Sequence, residues 1–233
     1  MDDALDPHTA SQTDRFLSDV LAGLAQPQKP LPCQYFYDEA GSNLFEQITE
    51  LPEYYPTRTE ICILNTHADA IAAALGSRAL LVEYGAGAST KTRILLDALK
   101  DLAGYVPIDV SEDFLLQTAA VLKSEYPDLN VRPIAADFMV ERGLPDDIDG
   151  TPGGFFPGST IGNLSDDEID QFLRAARRLL GPESKFVIGL DLRKSPDILI
   201  PAYDDAQGVT AAFNLNLLKR INRDLGGDFD LEA

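Results

Sequence analysis

The architecture can be read outward from ten residues, Leu80-Leu81-Val82-Glu83-Tyr84-Gly85-Ala86-Gly87-Ala88-Ser89. An apolar run of strand length meets two glycines and passes straight into a segment with helical spacing, the pattern of a buried strand turning tightly into a helix. Glycines at such a turn let a ligand lie against bare backbone. Roughly twenty residues on, Asp109 closes the next apolar run, where an acidic side chain reaches ribose hydroxyls. A purely structural strand-to-helix turn is the other reading of the glycines.

Short apolar runs at Leu80 to Tyr84, Gly104 to Asp109, Val131 to Ala135, Gly154 to Phe156 and Lys185 to Leu190 read as strands. Helical segments at Lys91 to Leu102, Phe114 to Glu125 and Asp166 to Leu180 fit between them. That alternation predicts a parallel sheet built from strand-helix-strand units. Before it, Phe16, Leu17, Val20, Leu21 and Leu24 make one helical face, an aromatic loop follows at Tyr35 to Gly41, and a short helix runs through Leu44, Phe45 and Ile48 to Leu51-Pro52. Thr57 with Glu60 has the spacing of a capping box opening the next helix, which ends near Leu75-Gly76. After the sheet, Ser195 to Ala206 is a polar and apolar mixture, and Val209 to Leu225 is an amphipathic helix stopped by Gly226-Gly227.

Composition bounds the partners. The 233 residues are 45% hydrophobic and carry a formal charge of −19, a field that repels phosphate backbones and anionic lipid alike. Neither nucleic acid nor membrane is expected as a partner. Cys33 and Cys62 are too few for a disulfide framework and sit in no metal-ligand spacing. The polar N-terminus lacks the pattern of a signal peptide, no apolar run has membrane-spanning length, and a cytoplasmic protein is expected. His8 and His67 lack the partners of a metal site and provide no base for a Ser-His-Asp arrangement.

The choice between cofactors rests on three observations. A dinucleotide fingerprint needs a third glycine where this chain has Thr90. Glu83, two residues before the first glycine, suits a ligand bearing an ammonium and a sulfonium better than one bearing two phosphates. Asp137-Phe138, after the third strand, offers a carboxylate for an adenine amino group beside a ring for the base, and reads equally as a helix N-cap and a core phenylalanine. S-adenosylmethionine is the cofactor these residues favour.

Read together with Leu51-Pro52-Glu53-Tyr54-Tyr55-Pro56-Thr57-Arg58, Gly158-Ser159-Thr160-Ile161-Gly162-Asn163-Leu164 and Ala202-Tyr203-Asp204-Asp205, the chain resembles the histidine-specific methyltransferase family from about Leu31 onward. The resemblance implies an α/β fold, a Rossmann-like class I methyltransferase parallel sheet with a smaller, discontinuous, mainly helical substrate domain. It implies transfer of methyl groups from S-adenosylmethionine to the α-amino group of L-histidine, the step that forms hercynine in ergothioneine biosynthesis. Gly85, Gly87, Lys91, Asp109, Asp137 and Phe138 would contact the cofactor. Tyr37, Tyr54, Asn163 and Tyr203 would line the amino-acid pocket, although packing of the tyrosines at a domain seam and capping of the Asp166 helix by Asn163 are the readings available without the resemblance. No catalytic base is assigned.

The expected division is a disordered tail over 1–12, a partial substrate-binding domain over 13–56 and 198–233, and a cofactor domain over 57–197 that is incomplete at its C-terminus. Family members continue past the position of Ala233 with a Glu and a Ser that grip the imidazole and with the closing strands, so the chain reads as truncated. Pro157 before Gly158 is a smaller departure. The alternatives are a methyltransferase of the same fold for another amino acid or amine, and a non-catalytic remnant. A nucleic-acid amine methyltransferase is disfavoured because Gly158-Ser159-Thr160 stands where an Asn or Asp followed by Pro-Pro and an aromatic residue would.

Overall fold

In the computed structural model, which describes residues 12–139 and 143–232, the run Ala79–Tyr84 is the central strand β1, buried at every position. It pairs in parallel with β2 (Leu102–Asp109) on one side and β4 (Thr151–Phe156) on the other. β3 (Ile134–Ala135) lies outside β2 and β5 (Lys185–Ile188) outside β4, giving the order β3-β2-β1-β4-β5. Chain order reverses at β1, so a crevice opens between the carboxyl ends of β1 and β4, the place where open α/β sheets bind ligands.

The two-residue period of β1 divides its side chains between two cores. Ala79 and Leu81 face a layer made with α3 (Tyr55–Leu75), α4 (Thr90–Ala98) and α5 (Glu112–Glu125), through Leu64, Leu95 and Leu122. Leu80, Val82 and Tyr84 face α6 (Asp166–Leu180), through Phe172, Ala176 and Leu180. A third core lies apart from the sheet: α1 (Gln12–Leu24) contributes Phe16 and Val20, a 3-10 turn at Cys33–Phe36 contributes Tyr35, and α8 (Val209–Leu225) contributes Leu217 and Ile221. α2 (Glu39–Thr49) packs on α8 and adds Phe45 and Ile48 to a patch with Tyr54 and Phe213.

Several boundaries differ from those expected. The helix after Pro52 starts at Tyr55 with Pro56 in its first turn, where the fixed φ of proline suits it, so Thr57 and Glu60 form no capping box. The Lys91 helix stops at Ala98 because Leu102 is already needed to pair with Ala79. Val131 makes only an isolated bridge to Tyr105, leaving β3 two residues long. Within Ser195 to Ala206 a helix forms, α7 (Pro196–Tyr203), with Ser195 as N-cap and proline at its start. The tail expected over 1–12, and with it His8, lies outside the described residues except for Gln12, which opens α1. Among the described residues no helix is long and apolar enough to cross a membrane.

Candidate active site

A cavity of about 880 Å³ occupies the crevice, running from the glycine turn under α1 to the aromatic patch of α2. Its floor is the turn after β1. Gly85 (φ +71°) and Gly87 (φ +49°) take left-handed conformations, and a Cβ added at either would meet no atom within 4 Å. The vacant space of two missing side chains therefore faces the cavity, the form expected of a cradle for a ligand against backbone.

Asp109, at the end of β2, is tied to this turn. One carboxylate oxygen accepts from Gly87 N at 3.2 Å and the other from Ser111 N at 2.9 Å. Burial pushes its carboxyl up against the opposing pull of those N–H groups. Each oxygen keeps a lone pair for a hydroxyl in the cavity. Glu83 lies beneath, 1% exposed, accepting from Thr92 Oγ1 at 2.6 Å and Tyr105 Oη at 2.5 Å. Burial raises its carboxyl to about 7.

Further along, Asp137 Oδ1 accepts from Met139 N at 2.9 Å, while Oδ2 is paired with Arg15 of α1 at 3.2 Å. Phe138 packs edge-on against Phe156 and Phe172 and also lines the cavity. Among the described residues no helix follows Asp137, so its contact with Met139 N closes a turn rather than capping a helix; Phe138 does pack in the core, and both residues face the crevice. Lys91, in the first turn of α4, lines the cavity with its ammonium held 2.6 Å from Glu60.

At the other end Tyr37 and Tyr54 line the wall, their rings set edge-on around Phe45. Burial raises both phenols, so both keep their protons at neutral pH. Asn163 closes a 3-10 turn at Thr160–Asn163 and lines the same cavity; the cap of α6 is instead Ser165, in a full capping box with Glu168. Tyr203 stands apart: it is 54% exposed, meets Tyr54 edge-on at 5.8 Å, and is not on the cavity wall. Sequence reasoning assigned no part in the site to Arg15 or Glu60. Their partners lie 122 and 98 residues away, and no local spacing announces such contacts.

A parallel sheet of this order, with a glycine cradle at its switch point and an acidic residue ending the second strand, defines a Rossmann-like protein that binds a nucleoside cofactor. Sequence comparison narrows the class. A family model described as "Histidine-specific methyltransferase, SAM-dependent" matches residues 16–233, and the chain belongs to that family. It is 45% identical over 226 residues to the histidine N-alpha-methyltransferase of Mycolicibacterium smegmatis, covering 96% of this chain and 70% of that protein. The Mycobacterium tuberculosis protein of the same name is 45% identical over 219 residues, covering 92% of this chain and 67% of that protein. Ergothioneine biosynthesis protein 1 of Neurospora crassa is 35% identical over 205 residues, covering 85% of this chain and 23% of that protein.

Proposed function

We propose that the chain transfers methyl groups from S-adenosylmethionine to the α-amino nitrogen of L-histidine, the reaction named for its mycobacterial relatives. The single observation that carries this is one continuous cavity joining the glycine cradle and Asp109 to the phenols of Tyr37 and Tyr54 and to Asn163.

The residues fit the cofactor. Gly85 and Gly87 leave room where side chains would stand, Asp109 keeps acceptor capacity toward a ribose, and Asp137 and Phe138 offer an acceptor and a ring to an adenine. Lys91 and Arg15, which bring positive charge to the cavity wall, are already paired with Glu60 and Asp137, and this suits a cationic nucleoside better than a diphosphate. Lys91 completes the proposed cofactor set. When bound, S-adenosylmethionine supplies an electrophilic methyl carbon on its sulfonium.

The remaining work is positioning. A chain-terminal α-amine titrates at about pH 8, and that of a free amino acid, beside its own carboxylate, higher still, so the acceptor nitrogen sheds its proton to water before it attacks; no residue of the cavity is assigned as its base. Protonated phenols at Tyr37 and Tyr54 and the amide of Asn163 orient the amino acid without adding fixed charge, and alignment of the reacting atoms is the main source of rate. Tyr203 takes part in this reading as the ring behind Tyr54. The substrate-binding unit comprises 13–56 and 198–233, supported by the core that α1, the Cys33–Phe36 turn and α8 build apart from the sheet; 57–197 is the cofactor unit. The −19 charge argues against nucleic acid or membrane as partner, and two free thiols fit a cytoplasmic setting.

Calorimetric titration with S-adenosylhomocysteine, followed by histidine and other amino acids into the binary complex, tests the proposal. Heat with histidine and mass increments of one methyl group on turnover are expected. Heat with a different amino acid alone would transfer the activity to that substrate, and no binding of the nucleoside would remove it.

A further inference from the structure

Glu60 stands on α3, and its side chain is not part of the cavity wall, yet it holds both ends of the cavity. Its carboxylate accepts from Gly158 N at 2.8 Å and 3.0 Å and pairs with Lys91 Nζ at 2.6 Å. Both charged side chains are largely withdrawn from water, Glu60 at 16% and Lys91 at 18% exposure. Lys91 belongs to the helix that leaves the glycine cradle; Gly158 begins the loop that carries Thr160 and Asn163 to the cavity.

That loop needs an anchor. Gly158 (φ +85°) and Ser159 (φ +57°) are consecutive left-handed residues, a conformation that costs a non-glycine residue about 1 kcal/mol. It is held from one side by Glu60 and from the other by Ser159 Oγ, which accepts from Asp191 N at 3.0 Å. The end of β5 is shaped around the same carboxylate: a Cβ on Gly189 would fall 1.9 Å from Glu60 Oε1.

We propose that Glu60 is a positioning residue that couples the cofactor end of the site, through Lys91, to the acceptor end, through the Gly158 loop and Asn163. The inference rests on the methyl-transfer reading above and extends it to a residue that touches neither ligand.

Three variants test it. Glu60→Ala removes both contacts, Gly189→Ala keeps both groups but displaces the carboxylate, and the isosteric Glu60→Gln keeps an acceptor for Gly158 N while losing the charge opposite Lys91. Affinity for histidine in the presence of S-adenosylhomocysteine is expected to fall about tenfold or more in Glu60→Ala and Gly189→Ala, and about threefold in Glu60→Gln. Affinity for S-adenosylhomocysteine alone should fall less, by no more than about threefold, since of the proposed cofactor set only Lys91 loses a partner while the glycine cradle, Asp109, Asp137 and Phe138 are untouched. If the alanine variants do not fold, the partial loss in Glu60→Gln decides. Folded variants with wild-type histidine affinity, or with both affinities falling in parallel, overturn the coupling role. Wild-type protein that takes up S-adenosylhomocysteine but no histidine instead overturns the substrate reading on which it rests.

Discussion

A methyl group is the smallest probe of the glycine cradle. At Gly87 the φ of +49° opposes any side chain, and the space an alanine Cβ would take is open cavity. Gly87→Ala should therefore cost only about 1 kcal/mol of stability while weakening S-adenosylhomocysteine binding about tenfold or more, as measured by calorimetry beside a thermal melt. Glu83 presents the opposite case, a residue whose effect is read in stability. Its carboxyl takes up a proton near 7 in the folded chain, against 4.5 for a glutamate side chain in water. Between those values the folded state holds more protons, so this group's contribution falls as pH rises from 4.5 to 7 and is flat above, a change of about 3 kcal/mol. Glu83→Gln, which still accepts from Thr92 and Tyr105, should remove that slope; Tm measured across the window should decline less steeply with pH than in wild type.

Among the elements, α6 shows how a helix end serves a site. Ser165 Oγ accepts from Glu168 N, and Glu168 Oε2 accepts in return from Ser165 N at 2.7 Å. The hydrogen bonds that Ser165 N and Ser165 Oγ donate to Glu168 Oε2 hold the Glu168 carboxyl below its usual range. Ser165 and Glu168 both line the cavity, directly after the Asn163 turn, so the cap sets where that turn hands over to the helix. Ser165→Ala should cost about 1 kcal/mol, a fall in Tm of about 2–4 °C by differential scanning calorimetry. Because Phe172 and Leu180 stay packed beneath β1 and β4, the helix itself should persist, with the loss confined to its first turn.

For the whole molecule, charge and connectivity pull against each other. The −19 net charge makes the folded chain repel itself, and screening should relieve this. Tm is expected to rise as sodium chloride is increased from about 10 mM to about 300 mM, because the Debye length shrinks from about 30 Å toward the size of a side chain. A fall in Tm would mean that ion pairs across the molecule outweigh the repulsion. One of these joins Asp38 to Arg223 at 3.0 Å; Asp38 also accepts from Asn216 at 2.7 Å and so ties α2 to a helix more than 170 residues away. Burial pushes the Asp38 carboxyl up, but the Gly41 N–H, Asn216 and Arg223 outweigh it and the net shift is downward.

What could be read along the chain was whatever depends on near neighbours. Alternating apolar runs and helices specify a parallel sheet, the strand-Gly-x-Gly-helix step marks its ligand edge, and Asp109 follows at the distance one crossover requires. Gly85, Gly87 and Asp109 sit in that pattern and can be singled out from it, whereas Tyr37 and Asn163 are singled out only by the family resemblance; the fold is what brings all five to one cavity. Partnerships across the fold were illegible. Glu60 has capping-box spacing yet gives its carboxylate to Gly158 and Lys91, and Tyr203 stands in one of the strings that carry the family resemblance yet ends up exposed behind Tyr54. Backbone pattern is set by steric and solvation preferences acting over a few residues; the destination of a charged or aromatic tip is set by which distant surface the packed layers bring beside it.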